Sequence, residues 1–209
     1  RNVPADQTIK ADIKDAGDKW TYRLNPVKPY LKESNKINFT HVENDFDDFK
    51  VQPFLLNYLS RQGPCIAVAD INGDKLEDVY VGGARGSAGK LFLQTRPNNF
   101  IESRQADILK DTLNEDVAAV FFDADGDGFP DLYIGSGGYE FSESSPLLQD
   151  RLYLNDGKGN FKKMESALPK LLNSTGRVVV ADIDGDGDAD IFLGSRMRPG
   201  KYPEPPASY

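Results

Sequence analysis

Residues 182–194 read DIDGDGDADIFLG, an acidic stretch that becomes apolar without a break. Five aspartates and two glycines occupy seven of its first nine positions, and the strand-like residues IFLG follow. Carboxylates this close repel one another at neutral pH unless a cation or hydrogen-bond donors offset their charge. The stretch therefore raises two questions: what the loop binds, and why a strand follows it at once.

The same pattern occurs three times in the chain. The copies are DINGDKLED from Asp70, DADGDGFPD from Asp123 and the copy from Asp182, each with an apolar run before and after it. Hairpin-like segments at 91–100 and 152–161 follow the first two copies. One unit is therefore a strand, an acidic loop, a second strand and a hairpin, which gives four short strands.

The spacing of these units predicts the fold. The acidic loops recur after 53 and 59 residues, and Asn-Phe pairs at 38–39, 99–100 and 160–161 recur every 61 residues. Four strands at such a period match a β-propeller blade better than a β-sandwich. We predict an all-β fold built from four-stranded antiparallel propeller blades.

The repeat also divides the chain. Residues 1–29, with Trp20, show no period and are predicted to be an extension or a degenerate blade segment. Residues 30–209 are predicted to be blades, with 30–49 the end of one blade and the C-terminus cutting through another. Because propellers close with four to eight blades, about three to four blades make a partial propeller. A longer protein or a second copy would complete the ring, and we favour the longer protein.

Composition excludes several classes of protein. The chain has 209 residues, 25 of them basic and 33 acidic, with a net charge of −8 and no basic block that could follow a phosphate backbone. We therefore predict no nucleic-acid partner. No apolar run reaches the length of a transmembrane helix, and residues 1–10 lack the profile of a signal peptide. The single cysteine, Cys65, is predicted to be a small buried residue, with a reactive thiol as the minor alternative.

The acidic loops present oxygen atoms at alternate positions. Side-chain oxygens at positions 1, 3, 5 and 9, with a main-chain carbonyl at position 7 and water, suit a cation of calcium's size. The predicted side-chain ligands are Asp70, Asn72, Asp74 and Asp78; Asp123, Asp125, Asp127 and Asp131; and Asp182, Asp184, Asp186 and Asp190. Carbonyls of Leu76, Phe129 and Asp188 are predicted at position 7.

Glycines at positions 4 and 6 permit the positive φ angles of a loop curled round an ion. Loop 1, residues 70–78, has Lys75 at position 6 and is predicted to bind most weakly, whereas loop 3, residues 182–190, is predicted to bind most tightly. Loop 2 is residues 123–131. Magnesium suits these loops less well, and zinc lacks cysteine and histidine ligands. We predict about three structural calcium ions, with a metal-free turn of Asp and Gly as the alternative.

An EF-hand begins with the same spacing but requires a glutamate at position 12 and a helix after the loop. Position 12 is Val81, Ile134 or Leu193, within apolar runs that end at a glycine. This pattern predicts a buried strand after each loop and argues against an EF-hand.

With these motifs, residues 30–209 resemble the FG-GAP or VCBS repeats of integrin α-subunit propellers, in which a D-x-[DN]-x-D-G-x-x-D loop binds calcium. The segments GPCIAVADINGDKLEDVYVGGARGSAGKLFLQ and RMRPGKYPEPPASY look closest to the bacterial ASPIC/UnbV group, which includes relatives of cartilage acidic protein. The resemblance implies calcium-binding blades in an extracellular, cell-surface or periplasmic protein. It leaves anchoring at the outer surface open.

The main functional hypothesis is an interaction or adhesion module for a protein or glycan, with structural calcium. The alternatives are a glycan lyase or hydrolase whose active site is completed by missing blades, and a scaffold for another domain. No nucleophile elbow or phosphate-binding loop identifies a reaction in this sequence.

Four other features have local interpretations. The only histidine, His41, is predicted to be structural and to lie on an outer strand. The acidic residues of 43–49 are predicted to form a solvated loop in preference to an acid/base pair or a cation site. Residues 155–160 are predicted to be a hairpin turn, and 198–206 a rigid connecting loop in preference to a polyproline docking surface.

Overall fold

The computed structural model describes Lys14, Gly17 and residues 34–209. The fold below is that of the unit Asn35–Tyr209. The extension or blade segment predicted for residues 1–29, with Trp20, lies outside the described residues apart from Lys14 and Gly17, and it stays a prediction.

Two complete blades and part of a third form the fold. Blade 1 contains strands β1 (Ile66–Ala69), β2 (Asp78–Val81), β3 (Lys90–Arg96) and β4 (Asn99–Ser103). Blade 2 contains β5 (Asp116–Phe122), β6 (Asp131–Ser136), β7 (Arg151–Asn155) and β8 (Phe161–Lys163). Blade 3 contains β9 (Ser174–Ala181) and β10 (Asp190–Met197). Neighbouring strands pair antiparallel in chain order within each blade, which confirms the predicted blade architecture.

Neighbouring blades contact each other through their first strands. Strand β1 contacts β5, and β5 contacts β9. The innermost strands of a propeller meet in this way around its central channel. The largest core cluster lies between blades 1 and 2 and includes the fully buried residues Ile71, Tyr80, Leu132, Ile134 and Tyr153.

Buried carboxylates also connect the blades. Asp116 accepts hydrogen bonds from Tyr80 Oη at 2.7 Å and from the Gly83 amide at 2.9 Å, and it forms an ion pair with Arg151. Tyr80 and Gly83 belong to blade 1, whereas Asp116 and Arg151 belong to blade 2. This network therefore joins the two blades.

A second carboxylate, Asp150, joins blade 2 to blade 3. It accepts hydrogen bonds from Tyr133 Oη at 2.8 Å, from the Ser136 amide at 2.7 Å and from Thr175 Oγ1 at 3.0 Å. Burial raises the pKa of Asp150 to about 6, against the lowering effect of these donors. The donors compensate only in part for the loss of solvation.

Both predicted hairpins are present. Strands β3 and β4 pair around the turn after Arg96, and β7 and β8 pair around the turn predicted at 155–160. In that turn Gly157 and Gly159 have φ of 72° and 79°, which a residue with a Cβ rarely adopts.

Between residues 34 and 209, helical structure is limited to three short elements. They are α1 (Asp48–Val51), α2 (Ala106–Lys110) and a 3-10 turn at Pro146–Leu148. The N-cap of α1 is Asp47, whose carboxylate accepts from the Phe49 amide at 3.1 Å. Among the described residues, none of these helices has the length and apolar character of a membrane-spanning segment.

The predictions for residues 34–49 are partly wrong. No strand lies between residues 34 and 65, so Asn38 and Phe39 do not end a blade hairpin and His41 is not on an outer strand. Phe39 instead packs edge-on against Phe92, with ring centroids 6.4 Å apart. The Asn-Phe pair recurs at the same spacing here without the paired strands that flank the other two copies.

The prediction of a solvated acidic loop at 43–49 holds for Asp45, which is exposed, but is wrong for Asp48. Asp48 is fully buried, and its carboxylate accepts from the amides of Leu59 and Ser60. Phe46 and Phe49 pack against a second core cluster, which consists of Leu55, Leu59, Tyr139 and Met197. Two carboxylates therefore hold the segment in place, because Asp47 caps a helix and Asp48 satisfies buried amides.

Cys65 and the segment 198–206 occupy defined positions. Cys65 is partly buried beside Gly82, and burial raises the pKa of its thiol to about 12, which disfavours the reactive thiolate. In 198–206, Arg198 forms ion pairs with Glu143 and, at 2.6 Å, with Glu204. Lys201 contacts Glu143 at 2.7 Å. These ion pairs restrain the segment 198–206, as expected for a rigid connecting loop.

Candidate metal centres

Each acidic loop connects the first and second strands of a blade. Loop 1 lies between β1 and β2, loop 2 between β5 and β6, and loop 3 between β9 and β10. Position 12 of each loop lies within a strand, at Val81, Ile134 and Leu193. A strand therefore follows each loop, and no EF-hand exit helix does. The prediction that this strand is buried is confirmed for β2 and β6, but β10 is only partly buried, since Phe192 is 50% exposed.

The position-1 aspartate organises the backbone of its own loop. In loop 2, Asp123 Oδ1 accepts from the amides of Gly126 at 2.8 Å and Asp127 at 3.1 Å, and its Oδ2 accepts from Gly128 at 2.9 Å. Asp70 and Asp182 accept from the corresponding amides, which are those of Gly73, Asp74 and Lys75, and of Gly185 and Gly187. This residue has a folding role whether or not an ion is bound.

Positions 3 and 5 form Asx turns. In loop 2, Asp125 Oδ1 accepts from the Asp127 amide at 3.3 Å, and Asp127 Oδ1 accepts from the Phe129 amide at 2.9 Å. The same bonds recur from Asn72, Asp74, Asp184 and Asp186. These are the turns of the metal-free alternative. They are compatible with ion binding as well, because each side chain uses one oxygen and keeps further lone pairs.

Position 9 fastens the loop to the blade. Asp131 accepts from the Ala124 amide at 2.9 Å and from the Asn155 amide, on β7, at 2.8 Å. Asp78 accepts from Ile71 at 3.2 Å and from Gln94, on β3, at 2.7 Å. Burial raises the pKa of both carboxyls, and the neighbouring loop aspartates raise it further. The sequence indicated a ligand at position 9 but did not indicate this tie to the third strand.

Position 9 differs in loop 3. Asp190 accepts from the Ile183 amide at 2.9 Å and is exposed, whereas Asp78 and Asp131 are fully buried. Its carboxylate therefore retains more freedom to turn toward an ion.

The glycine positions have the predicted backbone. Gly126 and Gly128 have φ of 78° and 88°, and Gly185 and Gly187 have φ of 78° and 98°. Lys75 has φ of 68°, so loop 1 takes the same shape with a residue that adopts it less readily.

The structure brings together some of the predicted ligands. One carboxylate oxygen from each of Asp123, Asp125 and Asp127 lies within 4.8 Å of the others. The same holds for Asp182, Asp184 and Asp190. These oxygen-only groups fit a hard cation such as calcium.

Other predicted ligands lie outside these groups. They are Asp131, Asp186 and the loop 1 carboxylates of Asp70, Asp74 and Asp78, which form no such group among the described residues. Loop 1 also has the neutral Asn72 at position 3. Ligation by these side chains, by Asn72 and by the carbonyls of Leu76, Phe129 and Asp188 stays a prediction.

Comparison with protein families identifies the repeat. The model of the FG-GAP-like repeat matches residues 70–134 and 137–193, which is more than half of the chain and includes all three acidic loops. The chain belongs to the FG-GAP-like repeat family. The first FG-GAP-like match begins at Asp70 and ends within β6, so it covers loops 1 and 2, and the second covers loop 3. A comparison with curated proteins found no match.

Proposed function

We propose that this chain is the calcium-stabilised propeller module of a protein that works outside the cytoplasm, where it binds a protein or glycan. The observation that carries the proposal is the convergence of carboxylates in loops 2 and 3, at the same place in successive FG-GAP-like blades. Calcium has a structural role in this proposal.

The energetic argument starts from repulsion. Three carboxylates within 4.8 Å of one another disfavour the folded loop at neutral pH. A divalent cation removes that repulsion and binds the folded loop in preference to the unfolded chain, so its binding free energy stabilises the fold. Loop 1 is the third and weakest site, because Lys75 adds positive charge and replaces a glycine.

The setting outside the cytoplasm is supported by the family, because FG-GAP-like repeats are typical of extracellular proteins. Sites in extracellular modules bind calcium with dissociation constants of about 10⁻⁴–10⁻³ M, which external calcium concentrations can fill. The segments GPCIAVADINGDKLEDVYVGGARGSAGKLFLQ and RMRPGKYPEPPASY support a relationship to the ASPIC/UnbV group. The predicted propeller, residues 30–209, has no strand between residues 34 and 65, so we propose that its blades lie within residues 66–209. We propose further that residues 1–29 are an extension of the propeller or a degenerate blade segment.

Thermal denaturation with chelator and with calcium tests the structural role. We expect 10 mM calcium to stabilise the wild-type chain by about 1–3 kcal/mol per filled site. For a chain of this size, each kcal/mol raises Tm by about 2–4 °C. In Asp123→Ala and in Asp182→Ala, calcium should stabilise the chain by less than in the wild type, and the difference should equal the contribution of one filled site.

The matched control is Asp156→Ala, which removes an exposed aspartate from the β7–β8 turn and should retain the full calcium response. Equal melting curves of the wild-type chain in excess chelator and in 10 mM calcium would contradict the proposal. The binding role is tested separately, by a glycan array and a pull-down in calcium and in chelator.

A further inference from the structure

The residue near the end of each blade's second strand contacts a carboxylate in blades 1 and 2. The Gly83 amide donates to Asp116 at 2.9 Å, and the Ser136 amide donates to Asp150 at 2.7 Å. The equivalent residue of blade 3 is Ser195, because DVYVGG, DLYIGS and DIFLGS begin at position 9 of the three acidic loops. The repeat therefore places a carboxylate-binding position at Ser195.

No carboxylate reaches Ser195 within residues 34–209. The Ser195 amide donates to Ser208 Oγ at 3.3 Å, and Ser195 Oγ is buried without a hydrogen-bond partner. Tyr80 and Tyr133 donate their hydroxyls to the carboxylates of the other two blades, whereas blade 3 has Phe192 at this position. Because buried hydroxyls are rarely left unpaired, the position in blade 3 has unused hydrogen-bonding capacity.

Two arginines are specific to this end of blade 3. Arg177 lies opposite Gly194 in the β9–β10 pair, and Arg196 directly follows Ser195. The equivalent positions of blades 1 and 2 hold small residues, which are Cys65, Ala84, Ala118 and Gly137. Blade 3 therefore carries two guanidinium groups where the other blades carry no charge.

Both arginines line one pocket of about 340 Å³ together with Ser195. The other lining residues are Gln62, Val117, Gly176 and Gly194. Arg177 and Arg196 are exposed, and neither guanidinium forms an ion pair or a hydrogen bond within the described part of the chain. Since no lining residue is acidic, the pocket presents two positive charges without a counter-charge.

The pocket lies at the end of blade 3 opposite loop 3. Gly176 and Arg177 are near the start of β9, and residues 194–196 are near the end of β10, whereas loop 3 joins the other ends of both strands. A Cβ at Gly176 would lie 2.8 Å from Arg196 Cβ, so this glycine allows Arg196 to pack against β9. About five residues of strand, or roughly 15 Å, separate the pocket from loop 3.

We propose that Arg177, Ser195 and Arg196 bind the carboxylate of a sugar acid. Guanidinium groups form short, charge-assisted hydrogen bonds with a carboxylate, often in pairs. In blades 1 and 2 the equivalent place is occupied by the carboxylates of Asp116 and Asp150. The proposal rests on the binding role proposed above, for which it names a ligand class, and it is independent of calcium.

The rest of the pocket favours a sugar acid over an amino acid. The ammonium group of an amino acid would meet Arg177 and Arg196 and no acidic lining residue. A sugar acid has no such group, and its hydroxyls can form hydrogen bonds with Ser195 and Gln62. The volume is near the lower end of the range for small-molecule pockets, about 300–1,000 Å³, so a single sugar unit is the expected size.

Titration with glucuronate, followed by NMR, tests the site. Calcium is first removed on a chelating resin, so that a metal-bound carboxylate cannot contribute. Glucuronamide, a neutral probe of the same size, should bind about tenfold more weakly than glucuronate or worse. Arg177→Gln and Arg196→Gln should each weaken glucuronate binding by about the same factor. The amide signals of Gly176 and Gly194 should shift in the wild-type chain.

The matched control is Arg96→Gln, which removes an exposed arginine at the end of β3 and should keep the wild-type affinity. Absence of glucuronate binding, or equal binding of glucuronate and glucuronamide, would contradict the proposal. So would wild-type affinity in both Arg177→Gln and Arg196→Gln. If one of these variants does not fold, the other and Ser195→Ala provide the comparison.

The outcomes also separate this site from the broader binding role. If a glycan array and a pull-down yield no ligand, the binding role fails. If they yield a ligand that binds Arg177→Gln and Arg196→Gln as tightly as the wild-type chain, the binding role stands and this site is wrong.

Discussion

At the residue scale, the residue at position 6 of the acidic loop determines how readily the loop adopts its left-handed backbone conformation. The φ angle there is 68° at Lys75, 88° at Gly128 and 98° at Gly187. An L-residue in this region clashes with its own backbone, and glycine does not. Loop 1 keeps the shape of the repeat because the Asp70 carboxylate accepts the Lys75 amide at 2.8 Å.

We predict that Lys75→Gly stabilises the chain by about 1 kcal/mol, since it removes the strain of a left-handed lysine. It should also raise the calcium affinity of loop 1, because a positive charge leaves the loop. Urea denaturation in chelator measures the first effect, and calcium titration measures the second.

Asn98→Gly is the matched control. Asn98 has φ of 63° in the β3–β4 turn, and asparagine tolerates this region well. Its effect should stay within about 0.5 kcal/mol. A Lys75→Gly variant less stable than the wild-type chain would contradict the strain argument.

At the element scale, buried carboxylates join one blade to the next. Asp116 lies at the first position of β5 and contacts Tyr80 and Gly83 of blade 1 as well as Arg151 of its own blade. Arg151 is 4% exposed, so the loss of Asp116 would leave a buried guanidinium without its closest counter-charge. Such a change destabilises far more than the loss of a surface ion pair.

We predict that Asp116→Ala lowers the free energy of unfolding by about 3–5 kcal/mol. Urea denaturation measures the loss. The exposed pair Lys90–Glu102, with a separation of 2.9 Å, provides the control, because Glu102→Ala should cost about 0–1 kcal/mol. A similar small loss in both variants would show that the Asp116 network does not hold blades 1 and 2 together.

At the scale of the whole molecule, burial is uneven among the blades. All six residues of β6 are buried, and β6 is paired on both sides, with β5 and β7. Blade 3 has two strands, and Val179 and Phe192 are 57% and 50% exposed. Tyr209 extends that sheet through backbone hydrogen bonds with Leu193 at 2.7 and 2.9 Å.

We predict that backbone amides of β6 exchange most slowly with solvent and that those of β9 and β10 exchange faster, because local opening follows burial and pairing. Calcium should slow exchange in β9 and β10 through loop 3. Hydrogen exchange with mass spectrometry measures both effects. Strand β2, central in blade 1, is the internal comparison and should resemble β6. Equal rates in β6 and β10 would contradict this order.

The sequence alone determined the repeat, the strands on either side of each acidic loop and the positive φ at the loop glycines. These features depend on residues close along the chain. Apolar runs specify strands, and glycine permits a backbone that other residues rarely adopt. The four-stranded blades followed because the same local pattern recurred at a blade's length.

Only the tertiary structure decided the roles of residues whose contacts span long stretches of chain. Asn44 donates to Glu140, 96 positions away, and Asp78 reaches Gln94 on the third strand of its blade. Residues 43–49 resembled a solvated acidic loop, yet Asp48 is buried. The sequence shows the charge of a carboxylate, but its burial and its partners depend on which distant elements the fold brings against it.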